Sequence, residues 1–456
     1  MAESTLRLSD FEPLAEEQQI QSISRPSLTY WQDAWIRLQA NRRALTSLYI
    51  LIALLAFTLL GPVVWNVDPA AQDVEQISQP PGAPRAATIV EPYRPWDGTF
   101  DAIASGELQL AQAANSQSVR LFWASDARAR SYRIYRNIFP IRPDGALGLP
   151  LGDNYGAQNT HYEDRLDLIP RSYYYSVVSF SADGSKIDTQ TLAVEVTRVL
   201  TVEEALDRGL VAEGETISLG DTVYLAVHPF GTDYLGRDLL SRLMYGARVS
   251  LFIGIVAPFL FVLFGVVYGS AAGFLAGKYD QALMRFADFV VALPFLLFMI
   301  LFKIAFGIGP GESGILPMLL AMVLLLWPGT ARLVRGQILQ IREEGYISAS
   351  RLLGAKTGYL VMRHMIPNTM GVILVTLTFA IPSAIFTEAF LSFIGMGVVP
   401  PIPSWGSMCN EGIKTMLTTP HELIFPALFI STTVLAFNLL GDGLRDALDA
   451  RMRSTE

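Results

Sequence analysis

The sequence predicts an α-helical polytopic membrane protein of six transmembrane helices, with an all-β domain inserted between the first helix and the second. Three observations carry this reading. The 456-residue chain is 51% hydrophobic and only 17% charged, with a mean hydropathy of +0.35, a balance outside that of ordinary soluble domains. Six apolar stretches each have the ~20 residues that a bilayer crossing needs. Between the first and second of these lies a long segment whose apolar residues alternate as in strands.

Taken in order, residues 1–43 read as a cytoplasmic N-terminal segment. They are mostly polar, and the apolar run behind them lacks a small-residue cleavage site, so that run reads as an uncleaved span. Within 28–43, Trp31, Trp35, Ile36 and Leu38 stand among polar residues. Such a pattern suits an interfacial helix or an ordinary helical lead-in. Spans are expected near Ala44–Val64, Leu251–Leu275, Phe286–Phe306, Ile315–Val334, Met370–Ile394 and Leu423–Leu440. Arg37, Arg42 and Arg43 precede the first. Lys278 and Arg285 lie between the second and third, and Arg335, Arg342, Arg351, Lys356 and Arg363 between the fourth and fifth. Arg445, Arg451 and Arg453 follow the sixth, whereas 307–314 has no Lys or Arg and 396–421 has only Lys414. Positive charge marks the inner side, so both termini are expected in the cytoplasm.

The domains expected are the first transmembrane helix (44–65), an extracytoplasmic linker (66–117), a β-sandwich-like domain (118–200), an extracytoplasmic connection (201–247), a helical core (248–445) and a cytoplasmic tail (446–456). The linker reading rests on a Pro-rich stretch that includes Pro80, Pro81 and Pro84. In the β segment Val119, Leu121 and Trp123 share one face, as do Tyr132 and Ile134. Tyr173, Tyr175 and Val177 repeat the spacing, and Leu192, Val194 and Val196 follow. Turns at Pro143-Asp-Gly, Gly152-Asp-Asn and Ala182-Asp-Gly separate the runs.

Several functions are disfavoured. The formal charge of −8 and the lack of a basic tract interleaved with aromatics argue against nucleic-acid binding. A single cysteine, Cys409, rules out an internal disulfide and a cysteine metal cluster; it reads as an inert external thiol. His161, His228, His364 and His421 have no metal-ligand spacing. Gly273-Phe-Leu-Ala-Gly-Lys-Tyr279 approaches a phosphate loop, but it is one residue short and has Tyr where Ser or Thr is needed.

Four ordered motifs stand out. The first is Ser348-Ala-Ser-Arg-Leu-Leu-Gly354, continuing to His364-Met-Ile-Pro367. The second is His228-Pro-Phe-Gly-Thr-Asp-Tyr-Leu-Gly-Arg-Asp238. The third is Glu388-Ala-Phe-Leu-Ser-Phe-Ile-Gly-Met-Gly397, running into Pro400-Pro-Ile-Pro-Ser-Trp-Gly406. The fourth is Val434-Leu-Ala-Phe-Asn-Leu-Leu-Gly-Asp-Gly-Leu-Arg-Asp446. The first resembles the EAA loop of ABC importer permeases, with Ser348 where that family usually has Glu and His364 where it usually has Ile. Together the four resemble the C-subunit type of dipeptide and oligopeptide permeases. Asp68-Pro-Ala-Ala-Gln-Asp73 and Pro80-Pro81 resemble the same family's connection after span one. The β segment interrupts that connection. Its order of Trp123, Tyr132-Arg-Ile-Tyr-Arg136, Tyr162-Glu-Asp164 and Pro170-Arg-Ser-Tyr173 resembles a fibronectin type III sandwich, with Tyr173 as its corner tyrosine.

The resemblance implies a type I ABC importer permease fold in a bacterial inner membrane. It implies a paired homologous permease, two ATPase subunits and a periplasmic or lipid-anchored binding protein. ATP and Mg would be bound by the ATPases, with no cofactor, metal or catalytic site in this chain. The ATPase-coupling loop would use Ser348, Ala349, Ser350, Gly354 and Pro367. By local rules, residues 341–352 form a helix, Gly354 ends it left-handed, Thr357 starts a second with Leu360, Val361 and Met365 apolar, and Pro367 disfavours helix at the residue before it. A helical loop joining two spans would look the same by spacing. In the external motif, Gly231 and Gly236 permit tight turns and Asp233, Arg237 and Asp238 can cross-link them, which favours a structural support for an outer gate over substrate contact. Glu388 would face the translocation cavity or pair locally near the outer interface. Lys303 is expected to snorkel, and Asp442, Arg445 and Asp446 to pair locally. Importers of nickel chelates or oligosaccharides share these motifs; a membrane-anchored adhesion or sensor protein would instead act through the β domain.

Overall fold

The computed structural model describes residues 29–99, 107–142, 145–211, 217–306 and 313–448. The polar residues 1–28, the turn at Pro143, most of loop 307–314, and Arg451 and Arg453 of the tail lie outside them.

The helical part starts with α1 (Tyr30–Ala40) and α2 (Arg42–Val64). They are two helices rather than one lead-in. Thr29 and Gln32 close a capping box on α1, and the Asn41 side chain breaks the run by accepting from Arg43 and Ala44 N–H to cap α2. Trp31, Trp35 and Ile36 are about half exposed, which suits a helix lying in a bilayer interface.

The described residues of 86–224 build three sheets. The strands are β1 (Ala86–Val90), β2 (Gln109–Leu110), β3 (Val119–Phe122), β4 (Ser131–Asn137), β5 (Leu149–Tyr155), β6 (His161–Asp164), β7 (Ser172–Phe180), β8 (Lys186–Glu195) and β9 (Val199–Thr201). A short helix α3 (Val202–Asp207) and strand β10 (Thr222–Tyr224) complete the segment. Sheets of order β2-β3-β6 and β5-β4-β7-β8 form a sandwich. Its core holds Val119, Leu121, Trp123, Tyr132, Ile134, Tyr173, Tyr175, Val177, Val194 and Val196, with Leu192 packed against it. The alternation read from sequence is thus the inward face of β3, β4, β7 and β8; the turn expected at Gly152-Asp-Asn154 is instead part of β5, paired with Ile134, Arg133 and Tyr132 of β4.

The expected linker 66–117 is corrected by the structure. β1 pairs parallel to β9 and antiparallel to β10, and Ile89, Leu200, Ala205 and Val223 close a small core of their own. The sandwich also begins earlier than residue 118, at β2. Flanking prolines hid β1, whose partners lie more than a hundred residues downstream. Entry and exit of the insertion are neighbours, since Leu225 N–H donates to the Arg85 carbonyl at 3.0 Å.

The chain then forms α4 (Leu239–Leu275), α5 (Gly277–Ala292), α6 (Phe295–Ala305), α7 (Ile315–Arg342), α8 (Gly345–Leu352), α9 (Thr357–Leu360), α10 (Ile366–Phe393), α11 (Trp405–Ile413) and α12 (His421–Leu448). Among the described residues, five helices are long and apolar enough to cross a membrane: α2, α4, α7, the run Thr357–Phe393 and α12. The third expected span, Phe286–Phe306, is not one straight helix. It is the pair α5 and α6, bent by 79° at Leu293-Pro294. Proline lacks the N–H and its ring clashes one turn back. Likewise α4 begins at Leu239, twelve residues before the apolar run, because Asp238 caps it by accepting from Ser241 N–H at 2.7 Å.

Candidate functional site

Two clusters of motif residues sit at opposite ends of α4. Beside its C-terminal end is an elbow. α7 ends at Arg342, and Glu343-Glu344 break the helix expected over 341–352 into α7 and α8. Gly354 then takes φ +85°. Its N–H donates to the Arg351 carbonyl at 3.0 Å, and Ala355 N–H to Ser350 at 3.1 Å, the two bonds of a Schellman cap. Among the described residues no atom lies within 4 Å of where a Gly354 Cβ would stand, so glycine is needed there for its backbone.

After α9 the helix does not stop at Pro367 as its residue type suggests. Val361–Met365 widen into a π turn that runs into α10. Re-registering the ladder here accommodates the proline without breaking the helix. Ile347, Leu360 and Met365 are buried, and they moor the elbow to the bundle. Its outer surface carries Ser348 and Ala349 with Leu352 (90% exposed), Leu353 (89%) and Met362 (69%). His364 stands edge-on to both Tyr346 and Tyr359, at 6.4 and 5.4 Å between centroids. That gives a local reason for histidine at this position.

At the other end, the Asp233 carboxylate accepts from Leu235 and Arg237 N–H, both at 2.9 Å, and from Arg237 Nε at 2.7 Å. Arg242 of α4 bonds the same carboxylate. Both guanidinium groups reach Glu411 of α11, at 3.0 and 2.7 Å. Asp238 accepts from Trp65 Nε1 at 2.9 Å and lies 2.8 Å from His228 Nδ1. Gly231 (φ +80°) and Gly236 (φ +74°) press on the connection after span one. A Cβ would lie 2.2 Å from the Gln79 carbonyl oxygen in one case and 1.9 Å from that of Asp73 in the other. Gly231, Asp233, Gly236, Arg237 and Asp238 therefore knot α2, the connection, α4 and α11 together.

A family described as "Binding-protein-dependent transport system inner membrane component" matches residues 265–454. Another, "N-terminal TM domain of oligopeptide transport permease C", matches 29–81. The oligopeptide transport system permease protein OppC of Bacillus subtilis is 48% identical over 226 residues, which is 50% of this chain and 72% of that protein. This chain belongs to the C-type permeases of oligopeptide and dipeptide ABC importers. Its relatives also include the dipeptide transport system permease protein DppC of Bacillus subtilis, 47% identical over 50% of this chain and 70% of that one. The glutathione transport system permease protein GsiD of Escherichia coli is 42% identical over 50% of this chain and 73% of its own. The permease's β domain falls in the stretch between the two family matches.

Glu388 of the permease does not open onto a cavity in this chain. It is fully buried in α10, accepting from Ser250 Oγ and Ser392 Oγ, each at 2.8 Å. Ser250 Oγ in turn accepts from Trp405 N–H at 3.2 Å. Glu388 so joins α4 and α10 to the start of α11. Cys409 on α11 is buried, and burial, with the Glu388 carboxylate adding to it, pushes its thiol up to about 12. Lys303 Nζ donates to the Gly395 carbonyl at 3.0 Å. Asp442, Arg445 and Asp446 form no ion pair among the described residues. Gly273 is no phosphate loop, because it lies inside α4. Among the described residues no side-chain group could hold a metal.

Sequence reasoning missed the seam that joins the two ends of the permease. Gly265, Gly269 and Gly273 fall on one stripe of α4. Cβ atoms there would meet Thr330, the Ala331 carbonyl and the Arg335 carbonyl of α7 at 2.7, 2.3 and 2.9 Å. The signal was the doubled small-xxx-small spacing, which permits close backbone approach of membrane helices. Below it, Arg335 forks onto the Asp280 carboxylate of α5 with both bonds at 2.5 Å.

Proposed function

We propose that this permease couples ATP hydrolysis in two partner ATPase subunits to alternating access for dipeptides or oligopeptides. ATP and Mg bind those partners. The permease pairs with a homologous permease in a bacterial inner membrane, both termini facing the cytoplasm. A binding protein delivers the solute from outside. The observation that supports this most is the elbow. A rigid, capped helix presents Leu352, Leu353 and small residues outward while Ile347 holds it to α7. An apolar surface of that kind calls for a protein partner. Motion received there passes along α7 and the glycine seam into α4. In this reading Ser348, Ala349, Ser350, Gly354 and Pro367 form the coupling loop, and the Asp233–Arg237–Arg242–Glu411 knot braces the outer end.

We read the sandwich as fibronectin type III-like, supported by its three-on-four strand order. The Tyr173 hydroxyl also accepts from Ile169 N–H at 3.1 Å and reaches the Asp167 carbonyl at 3.5 Å, as a corner tyrosine does. Its role is to meet the binding protein or the paired permease.

Replacing Gly354 by isoleucine tests the coupling. Forcing a β-branched residue to φ +85° costs about 1–3 kcal/mol and distorts the α8 cap. Uptake by the assembled complex should collapse while the permease still inserts. Undiminished uptake would sink the coupling role.

A further inference from the structure

One pair of charges fits none of the structural roles above. Asp288 of α5 accepts from Arg332 of α7 at 2.7 Å, and Arg285 lies 3.8 Å from the same carboxylate. Unlike Asp280 and Arg335 below them, Asp288 and Arg332 keep 48% and 44% of their side chains exposed. Their depth follows from neighbours on α4. Ala331 lies under Gly269. Phe286 stacks on Trp327, which meets Phe264. Between Gly269 and Phe264 the pair stands about 9–16 Å along α4 from its elbow end, at 1.5 Å per residue. That is inside the apolar run, where lipid-facing charge is costly and ionisable side chains turn to water or protein.

The surrounding face points the same way. Gly329 and Gly336 flank Arg332 on one stripe of α7, and among the described residues no atom lies within 4 Å of a Cβ at either. Beside the exposed Leu333, such small residues on a membrane helix let another protein surface approach closely.

We propose that Asp288 and Arg332 form a charged constriction in the water-lined route of the solute, on the face turned toward the paired permease. This rests on the importer reading above. The ion pair can exchange its internal partner for an ammonium on Asp288 and a carboxylate on Arg332, the two end groups of a zwitterionic solute. Both charges stay compensated as it passes, which avoids stranding either in a low-dielectric wall.

The test uses inside-out vesicles carrying the whole complex, with Cys409→Ser as background. A Gly329→Cys variant leaves the ion pair intact and places a thiol on the open stripe. A membrane-impermeant cationic methanethiosulfonate should modify it at least about tenfold faster than a Leu55→Cys control on the exposed face of α2, because only a wetted thiol ionises. Trapping with ATP and vanadate should change that rate. Asp288→Asn and Arg332→Gln should each lower zwitterionic peptide uptake by about tenfold with ATPase activity retained. Labelling as slow as the control overturns the wet route. Rapid labelling with uptake unchanged in both variants overturns the constriction. Absence of uptake by the unsubstituted complex would count against the importer reading, and labelling would still decide whether this face is wet.

Discussion

At the scale of single residues, the buried charges of the outer knot set what can be changed. Asp233, Arg237 and Arg242 are 2%, 4% and 2% exposed. Asp233→Ala would leave two buried guanidinium groups sharing Glu411, a loss of about 3–5 kcal/mol. The detergent-solubilised complex should melt well below the parent, and an unchanged melt would contradict the bracing role. The sandwich makes a separate prediction. Burial raises the Tyr173 phenol above its ordinary range, and burial with the Asp164 carboxylate raises Tyr175 further. A folded-state value above the unfolded one gives stability that is full below the unfolded value and lost as pH rises past it. A fragment of residues 107–200 should therefore show a cooperative, strand-rich melt that is flat up to about pH 10 and falls above it. Tyr175→Phe should blunt that fall. An alkaline-insensitive melt would remove tyrosine burial as the cause. Residue identity was legible where chemistry is local. Gly231, Gly236 and Gly354 were read as special backbone positions, and each has positive φ. Glu388 was legible only in part, because Ser392 lies one turn away on α10 but Ser250 is far off in the chain.

Elements were legible where their pattern is periodic and their partners near. Strands β3, β4, β7 and β8 follow the alternation, and the long helices follow hydropathy, whereas Gly152-Asp-Asn154, expected as a turn, lies inside β5. β1 and the bent α5–α6 pair were not, for different reasons. β1 is defined only by distant partners, and the bend depends on how Pro294 is tolerated inside a packed bundle. The α4–α7 seam yields a prediction at this scale. Gly269→Leu drives a side chain into the Ala331 carbonyl, only 2.3 Å from the Cβ position. Overpacking of a close helix contact costs about 1–3 kcal/mol or more. Separating α4 from α7 should cut uptake even if the elbow still binds its ATPase. Normal uptake with normal ATPase stimulation would show that the seam does not carry motion.

At the scale of the whole molecule, the insertion is held by more than its two strands of chain. Arg208 pairs with Asp73 at 2.9 Å, and Gln76 Nε2 donates to the Ala226 carbonyl at 3.3 Å. Even so, its ends meet at Arg85 and Leu225. Replacing residues 85–226 by a short flexible linker should leave the bundle and ATPase assembly intact. Stimulation of ATPase activity by loaded binding protein should fall. Normal stimulation at the same binding-protein concentration would reject a docking role, and failure to insert would show the domain to be part of the membrane fold.

The sheet of β10, β1 and β9 also fixes an order of events during synthesis. β1 leaves the ribosome first, yet both its partners, β9 and β10, come only after the sandwich has been made. At about 5–20 residues per second this interval is on the order of ten seconds. Through it, both edges of β1 stay unpaired beside a span already made, and unpaired edges invite wrong partners. The sandwich has its own core and can close first, drawing the late strands back toward β1. The domain is thus sealed at its base last, just before α4 is made.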